Sequence, residues 1–195
     1  MPTAAGPLYE VDTRLRPSGN DGLLAVSLDS FARYQREDAG LWEHMALTRA
    51  RPIACTPADA AAAQAAIDAI IALPRDPGHV RREAADMRRH IARHKPPAGP
   101  FDVKLMKGGL VDIEFIVQAR ALMSGAPVPP RLDAALALLA PELVAPARLM
   151  MDMLVMLRLV QPHDHAATPD SASAAVIARA CGRSGFAALK ADLSA

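Results

Sequence analysis

The chain has 195 residues, of which 51% are hydrophobic and only 4% aromatic, and its formal net charge is +1. This length and hydrophobic share allow a sizeable core in one or two domains, whereas the near-neutral charge argues against a broad nucleic-acid-binding surface. Because no apolar run reaches membrane-spanning length, no signal-peptide pattern opens the chain and the two cysteines are isolated, we expect a cytoplasmic protein with neither a membrane nor a nucleic-acid partner.

The segment from residue 8 to 16 alternates in the way that a β-strand requires. One face would carry Leu8, Glu10, Asp12, Arg14 and Arg16, and the other would carry Tyr9, Val11, Thr13 and Leu15. Burying two carboxylates and two guanidiniums is costly unless a ligand, metal or partner needs them, so the pattern suits a site for metal ions and nucleotide phosphates. The alternative is a solvated edge strand with paired surface charges.

Start signals place the next helices. Ser27 is a candidate N-cap, followed by a helical stretch and by a second one at 42–47. Residues 48–55 are expected to form a short edge strand, because Pro52 lies near its middle. Thr56-Pro57 predicts a helix that runs to about Leu73, and Asp76-Pro77 opens another. That helix carries Arg81, Arg82, Arg88, Arg89 and Arg93, which favour either a solvated face with local ion pairs or a docking surface for phosphate or an acidic partner.

The stretch 95–100 contains adjacent prolines and is the clearest linker. After it, Lys107-Gly108-Gly109 precedes a helix at 110–123 that is apolar around much of its surface and should be central to a bundle. Helical periodicity continues at 132–139, 146–160, 168–181 and 184–193. The sequence therefore predicts a mainly α protein with a small β element, its strands confined mainly to 8–16 and 48–55.

Four blocks in the first part of the chain resemble those of glutamine synthetase adenylyltransferases. They are Glu10-Val-Asp12-Thr-Arg14-Leu-Arg16-Pro-Ser-Gly19, Phe31-Ala-Arg-Tyr34, Trp42 to Arg51, and Lys107-Gly-Gly-Leu-Val-Asp112-Ile-Glu114-Phe-Ile-Val-Gln118. The resemblance implies that residues 1–95 are part of a nucleotidyltransferase α/β domain and that 100–195 form the helical bundle that follows it.

Nucleotidyltransferases of that kind carry an Asp-x-Asp pair that supplies two of three metal-binding carboxylates, and this sequence contains no such pair. The resemblance then makes Asp12 the third carboxylate, a catalytic residue and metal ligand for Mg²⁺. We expect the chain to be a C-terminal fragment that lacks the upstream segment and is catalytically incomplete.

Further site residues follow from the resemblance. Arg14 and Arg16 would lie near the phosphates of ATP, and Lys107, Gly108, Gly109, Asp112 and Glu114 would line the cleft that faces the nucleotide. For Asp112 and Glu114 a structural reason is equally sufficient, because acidic residues in the first turn of a helix compensate its macrodipole.

The reaction that the resemblance implies is transfer of AMP from ATP to a tyrosine of glutamine synthetase, or its phosphorolytic removal, in the control of nitrogen assimilation. The alternative is a non-catalytic helical module that docks on glutamine synthetase or on a signal-transduction protein.

Overall fold

The computed structural model describes residues 2–3, 6–7, 11–161, 163–164 and 166–194. Within them lie nine α-helices: α1 (Leu28–Glu37), α2 (Leu41–Leu47), α3 (Pro57–Ile71), α4 (Pro77–His94), α5 (Leu110–Ser124), α6 (Leu132–Leu139), α7 (Val144–Val160), α8 (Ser171–Ala180) and α9 (Phe186–Ser194). Short 3-10 helices lie at Gly19–Asp21 and Pro141–Leu143. The prediction of a mainly α protein is confirmed.

The predicted helix starts are confirmed by their caps. The hydroxyl of Ser27 accepts a hydrogen bond from the backbone N–H of Ser30 at 3.2 Å, which begins α1. Thr56 accepts from the N–H of Asp59 at 3.2 Å at the start of α3. Asp76 accepts from the N–H of His79 at 2.7 Å at the start of α4. Each cap satisfies a donor that the first helical turn leaves without a partner.

The predicted strands at 8–16 and 48–55 are wrong. Residues 11–16 and 48–55 contain no strand, and 8–10 lie outside the described residues. The carboxylate of Asp12 accepts the backbone N–H of Arg14 at 3.0 Å, and the N–H groups of Thr48, Arg49 and Ala50 bond back to the last turn of α2. Local bonds of this kind replace the ladder that a strand would need. Among the described residues, strand is assigned only to Pro2–Thr3 and Gly6–Pro7, which pair antiparallel.

Helix α5 lies between two hydrophobic clusters, as its apolar surface predicts. One cluster joins its Leu110, Ile113 and Val117 to buried residues of α6, α7, α8 and α9. The other joins Ala119 and Leu122 to residues of α2, α3 and α4. The helix is thus buried on opposite sides by the two halves of the chain. The division into domains at 1–95 and 100–195 stays a prediction.

A buried histidine fixes α2 against the end of α3. The Nε2 atom of His44 lies 2.8 Å from the carbonyl oxygen of Gln35, and its Nδ1 lies 3.1 Å from Nη2 of Arg75. Arg75 also donates to the carbonyl oxygens of Ile70, at 2.7 Å, and of Ile71, at 2.8 Å, at the end of α3. Because Arg75 can only donate, Nδ1 must accept and Nε2 must carry the proton, so His44 is neutral. Burial lowers the pKa of His44, and the nearby Arg75 lowers it further.

This arrangement predicts that stability falls in mild acid. In the unfolded chain His44 takes up a proton near the ordinary histidine pKa of 6.5, whereas in the folded protein its pKa is lower. The free energy of unfolding should therefore decrease as pH falls below 6.5. Urea unfolding at several pH values between about 7.5 and 5.5 measures the effect, above the range in which carboxylates titrate. His44→Gln should reduce the dependence of the free energy of unfolding on pH, and the exposed control His79→Gln should not. An unchanged slope in His44→Gln would contradict the assignment.

Candidate functional site

The carboxylate of Asp12 is held by Arg14. Oδ2 of Asp12 lies 2.6 Å from Nη2 of Arg14, and Oδ1 lies 2.9 Å from its Nε. Hydrogen bonds from the Arg14 side chain and backbone lower the pKa of Asp12 to about 2, so the group is ionised at neutral pH. Both side chains are exposed. This geometry is that of a solvated ion pair, in which both carboxylate oxygens already have donors.

Arg16 is bound to its own loop. Its Nη1 donates to the carbonyl oxygen of Thr13 at 2.7 Å and to the Thr13 hydroxyl at 3.0 Å. Its Nη2 lies 3.4 Å from the carbonyl oxygen of Asn20, and its Nε lies 3.3 Å from that of Gly22. All of these partners within the described residues are neutral oxygens. The guanidinium is therefore held in place while its positive charge stays uncompensated.

The backbone at Gly108 and Gly109, just before α5, requires glycine at both positions. Gly108 adopts the left-handed region with φ of 76°, which favours glycine. A Cβ on Gly109 would lie 2.6 Å from the carbonyl oxygen of Val103, so this buried position needs glycine as well. Lys107 beside them is exposed. The pair therefore has a sufficient structural explanation in the tight turn that leads into the helix.

Asp112 and Glu114 contact different neighbours. Asp112 accepts the backbone N–H of Gly108 at 2.6 Å and forms an ion pair with Arg88 of α4. Glu114 forms an ion pair with Arg49, just after α2, at 2.9 Å. Two residues apart on a helix point about 200° apart around its axis, which is why the two carboxylates do not converge.

All four of the sequence blocks named above meet at one cleft of about 490 Å³. Its lining includes Arg16 and Pro17 of the first block, Phe31 of the second, Glu43 and Arg49 of the third, and Gln118 of the fourth. Glu114 is joined to the cleft through its ion pair with Arg49. Asp12, Arg14, Lys107, Gly108, Gly109 and Asp112 are not among the lining residues. We call this space the block cleft.

Sequence reasoning did not single out Arg49, Gln118 or the pair Tyr34 and Glu43 as site residues. The hydroxyl of Tyr34 lies 3.0 Å from Oε1 of Glu43, and Oε2 of Glu43 accepts the N–H of Gly40 at 2.9 Å, which fixes the corner between α1 and α2. Glu43, Arg49 and Gln118 line the cleft and lie inside the quoted blocks. The two arginines of Thr48-Arg49-Ala-Arg51 were the signal available for Arg49.

The described residues do not form a magnesium site on their own. No group of three or more His, Cys, Asp or Glu side chains in the described ranges is placed to hold a metal ion. Asp12 is the one carboxylate predicted as a ligand, and Arg14 occupies both of its oxygens. The guanidiniums of Arg16 and Arg49 do suit phosphate oxygens, because arginine presents several fixed donors.

Among the helices that the structure describes, none combines the length and the apolar character needed to cross a membrane.

Comparison with known proteins gives consistent matches. The family model described as glutamate-ammonia ligase adenylyltransferase matches residues 1–67. The chain is 42% identical over 207 residues to a protein of Xanthobacter autotrophicus, covering 98% of this chain and 21% of that protein. It is 48% identical over 130 residues to a protein of Mesorhizobium japonicum, covering 67% of this chain and 13% of the relative. It is 50% identical over 121 residues to a protein of Brucella suis, covering 62% of this chain and 12% of that protein.

All three relatives are named bifunctional glutamine synthetase adenylyltransferase/adenylyl-removing enzyme. The chain spans between 12% and 21% of the length of these relatives. The similarity therefore concerns one part of a much longer enzyme.

Proposed function

Because the chain belongs to the glutamine synthetase adenylyltransferase family, we propose that it forms one part of an enzyme that transfers AMP from ATP to a tyrosine of glutamine synthetase, or removes it by phosphorolysis. The observation that carries the proposal is the meeting of the four family blocks at the block cleft, since residues far apart in sequence converge there. Such convergence is typical of a ligand site built from several elements.

The chain's own residues would bind and orient the phosphates. Both arginines line the cleft, and each guanidinium is held in place: that of Arg49 by Glu114, and that of Arg16 by carbonyl oxygens of its loop. Preorganised donors need little rearrangement when negative charge develops on a transferring or leaving phosphate. Arg16 and Arg49 are therefore the residues that we propose to contact the triphosphate.

We propose ATP as the donor and Mg²⁺ as its accompanying ion. One carboxylate, Asp12, is too few for a site of this kind, so further carboxylates outside this chain's described residues are required. Asp12 would join them only after exchanging Arg14 for the metal. Glutamine synthetase is the protein substrate in this proposal, a nitrogen signal-transduction protein is a further partner, and the cytoplasm is the compartment.

A chimera tests the proposal. This chain replaces the matching segment of the Xanthobacter relative, and incorporation of radiolabelled AMP into glutamine synthetase is measured with ATP and Mg²⁺. We expect the chimera to label glutamine synthetase and the isolated chain to show little or no labelling. In the chimera, Arg49→Gln should lower the rate about 100-fold, as loss of a positioned charge donor does.

Arg179→Gln, on the exposed side of α8, is the matched control and should leave the rate unchanged. A folded chimera without activity would contradict the proposal. Robust labelling by the isolated chain would contradict the requirement for further carboxylates.

A further inference from the structure

A second and larger cleft is rich in arginine. It has a volume of about 750 Å³ and opens between the segment after α2 and the helices α6 and α7. Four arginines line it together with two aspartates: Arg49, Arg51, Arg131, Arg148, Asp133 and Asp152. We call it the arginine cleft. It shares Arg49 with the block cleft and is otherwise lined by different residues.

Two of these arginines have no acidic partner within the described part of the chain. Arg49 is paired with Glu114 at 2.9 Å, and Arg131 is paired with Asp133 at 2.7 Å. Arg51 and Arg148 are exposed and form no ion pair with any described residue. The cleft therefore presents free guanidiniums from two elements that are distant in sequence, the α2–α3 connection and α7.

The lining of the arginine cleft also includes apolar residues, and exposed apolar side chains continue along α7. Leu132, Leu136 and Ala147 are among the apolar lining residues. Val144, Met151, Val155 and Leu159 are between 37% and 71% exposed. Their spacings of seven, four and four residues place them on one face of the helix, over about 22 Å. We call this row the α7 stripe, and Arg148 lies within the same face.

An exposed row of large apolar side chains is unusual on a soluble surface and marks a contact site. We propose that the arginine cleft and the α7 stripe together dock an acidic amphipathic helix of a partner protein. Its apolar residues, repeating every three or four positions, would pack on the stripe, and its carboxylates would pair with Arg51 and Arg148.

The charge pattern favours this partner over other anions. A small phosphate compound would fill the arginine cleft but would leave the α7 stripe uncovered. A nucleic acid backbone could pair with the arginines, but it would gain nothing from an apolar row. Only a partner that is both acidic and apolar complements the whole surface. This inference does not rest on the proposed catalytic function.

Two synthetic peptides test the docking. Each is a fluorescein-labelled helix of about 16 residues with leucines on one face; the first carries Glu on the other faces and the second carries Lys at the same positions. Binding to the full chain is followed by fluorescence anisotropy. The Glu peptide should bind at least about tenfold tighter than the Lys peptide, and its affinity should fall with added salt.

Variants locate the contact. Arg148→Glu and Met151→Glu should each weaken binding of the Glu peptide at least about tenfold, and Arg51→Glu gives a second test of the charge contact away from α7. Arg179→Glu and Val176→Glu introduce the same changes on exposed positions of α8 and should leave binding unchanged. Circular dichroism verifies that every variant is folded.

Equal affinity for the Lys and Glu peptides would overturn the proposal, as would unchanged binding in Arg148→Glu. Sedimentation showing a dimer that Met151→Glu dissociates would also overturn it, because the α7 stripe would then belong to a contact between two copies.

Discussion

Replacing Asp12 by Asn in the chimera should lower the rate of AMP transfer by at least about 100-fold while leaving the melting temperature almost unchanged. Asn keeps the shape of the side chain but removes the charge that a Mg²⁺ ligand needs. Stability should change little because Asp12 and Arg14 form an exposed, local ion pair. The rate is measured by labelling of glutamine synthetase, and the melting temperature is measured on the same preparation.

Asp86 provides the control for this substitution. It is an exposed aspartate that pairs with Arg89 on α4, away from the block cleft. Asp86→Asn should change neither the rate nor the melting temperature. If Asp12→Asn kept the full rate, Asp12 would be a partner of Arg14 and nothing more, which is the solvated-pair alternative.

Replacing Arg88 by Met should lower the free energy of unfolding by about 3 kcal/mol, because a partly buried carboxylate loses its counter-charge. The Arg88 side chain is 15% exposed and forms an ion pair with Asp112. It also donates to the carbonyl oxygen of Leu105 at 2.9 Å, so it ties α4 to the turn that precedes α5. Urea unfolding measures the loss.

The neighbouring arginine gives a matched comparison. Arg89 pairs with Asp86, and its side chain is 68% exposed. Arg89→Met should cost at most about 0.5 kcal/mol, as exposed ion pairs do. The double variant Arg88→Met with Asp112→Leu should recover part of the loss, since no charge is then left without a partner. Equal costs for Arg88→Met and Arg89→Met would show that the pair with Asp112 has no structural importance.

The helices could be predicted from sequence because their signals are local. Ser27, Thr56 and Asp76 each lie within three residues of the N–H group that they cap. The predicted strands failed because a strand needs a neighbouring strand, which alternation alone does not specify. At Asp12 the carboxylate bonded instead to the N–H of Arg14, two residues away.

The candidate site was predictable only as a set of blocks. Arg49 and Glu114 are 65 residues apart in sequence, and Arg88 and Asp112 are 24 apart, so no local pattern indicates which charges will meet. The resemblance identified the blocks that line the cleft, and it pointed to Lys107, Gly108 and Gly109, which are not among the lining residues. Their roles near a nucleotide stay predictions.

The burial of α5 on opposite sides bears on how the protein unfolds. Residues from both halves of the chain cover this single helix, so melting either half bares one of its apolar faces. We therefore expect the two segments joined by the proline-rich stretch at 95–100 to depend on each other for stability. If the backbone were cut there, we expect the two pieces to remain associated through the apolar faces of α5 and to unfold in one cooperative transition.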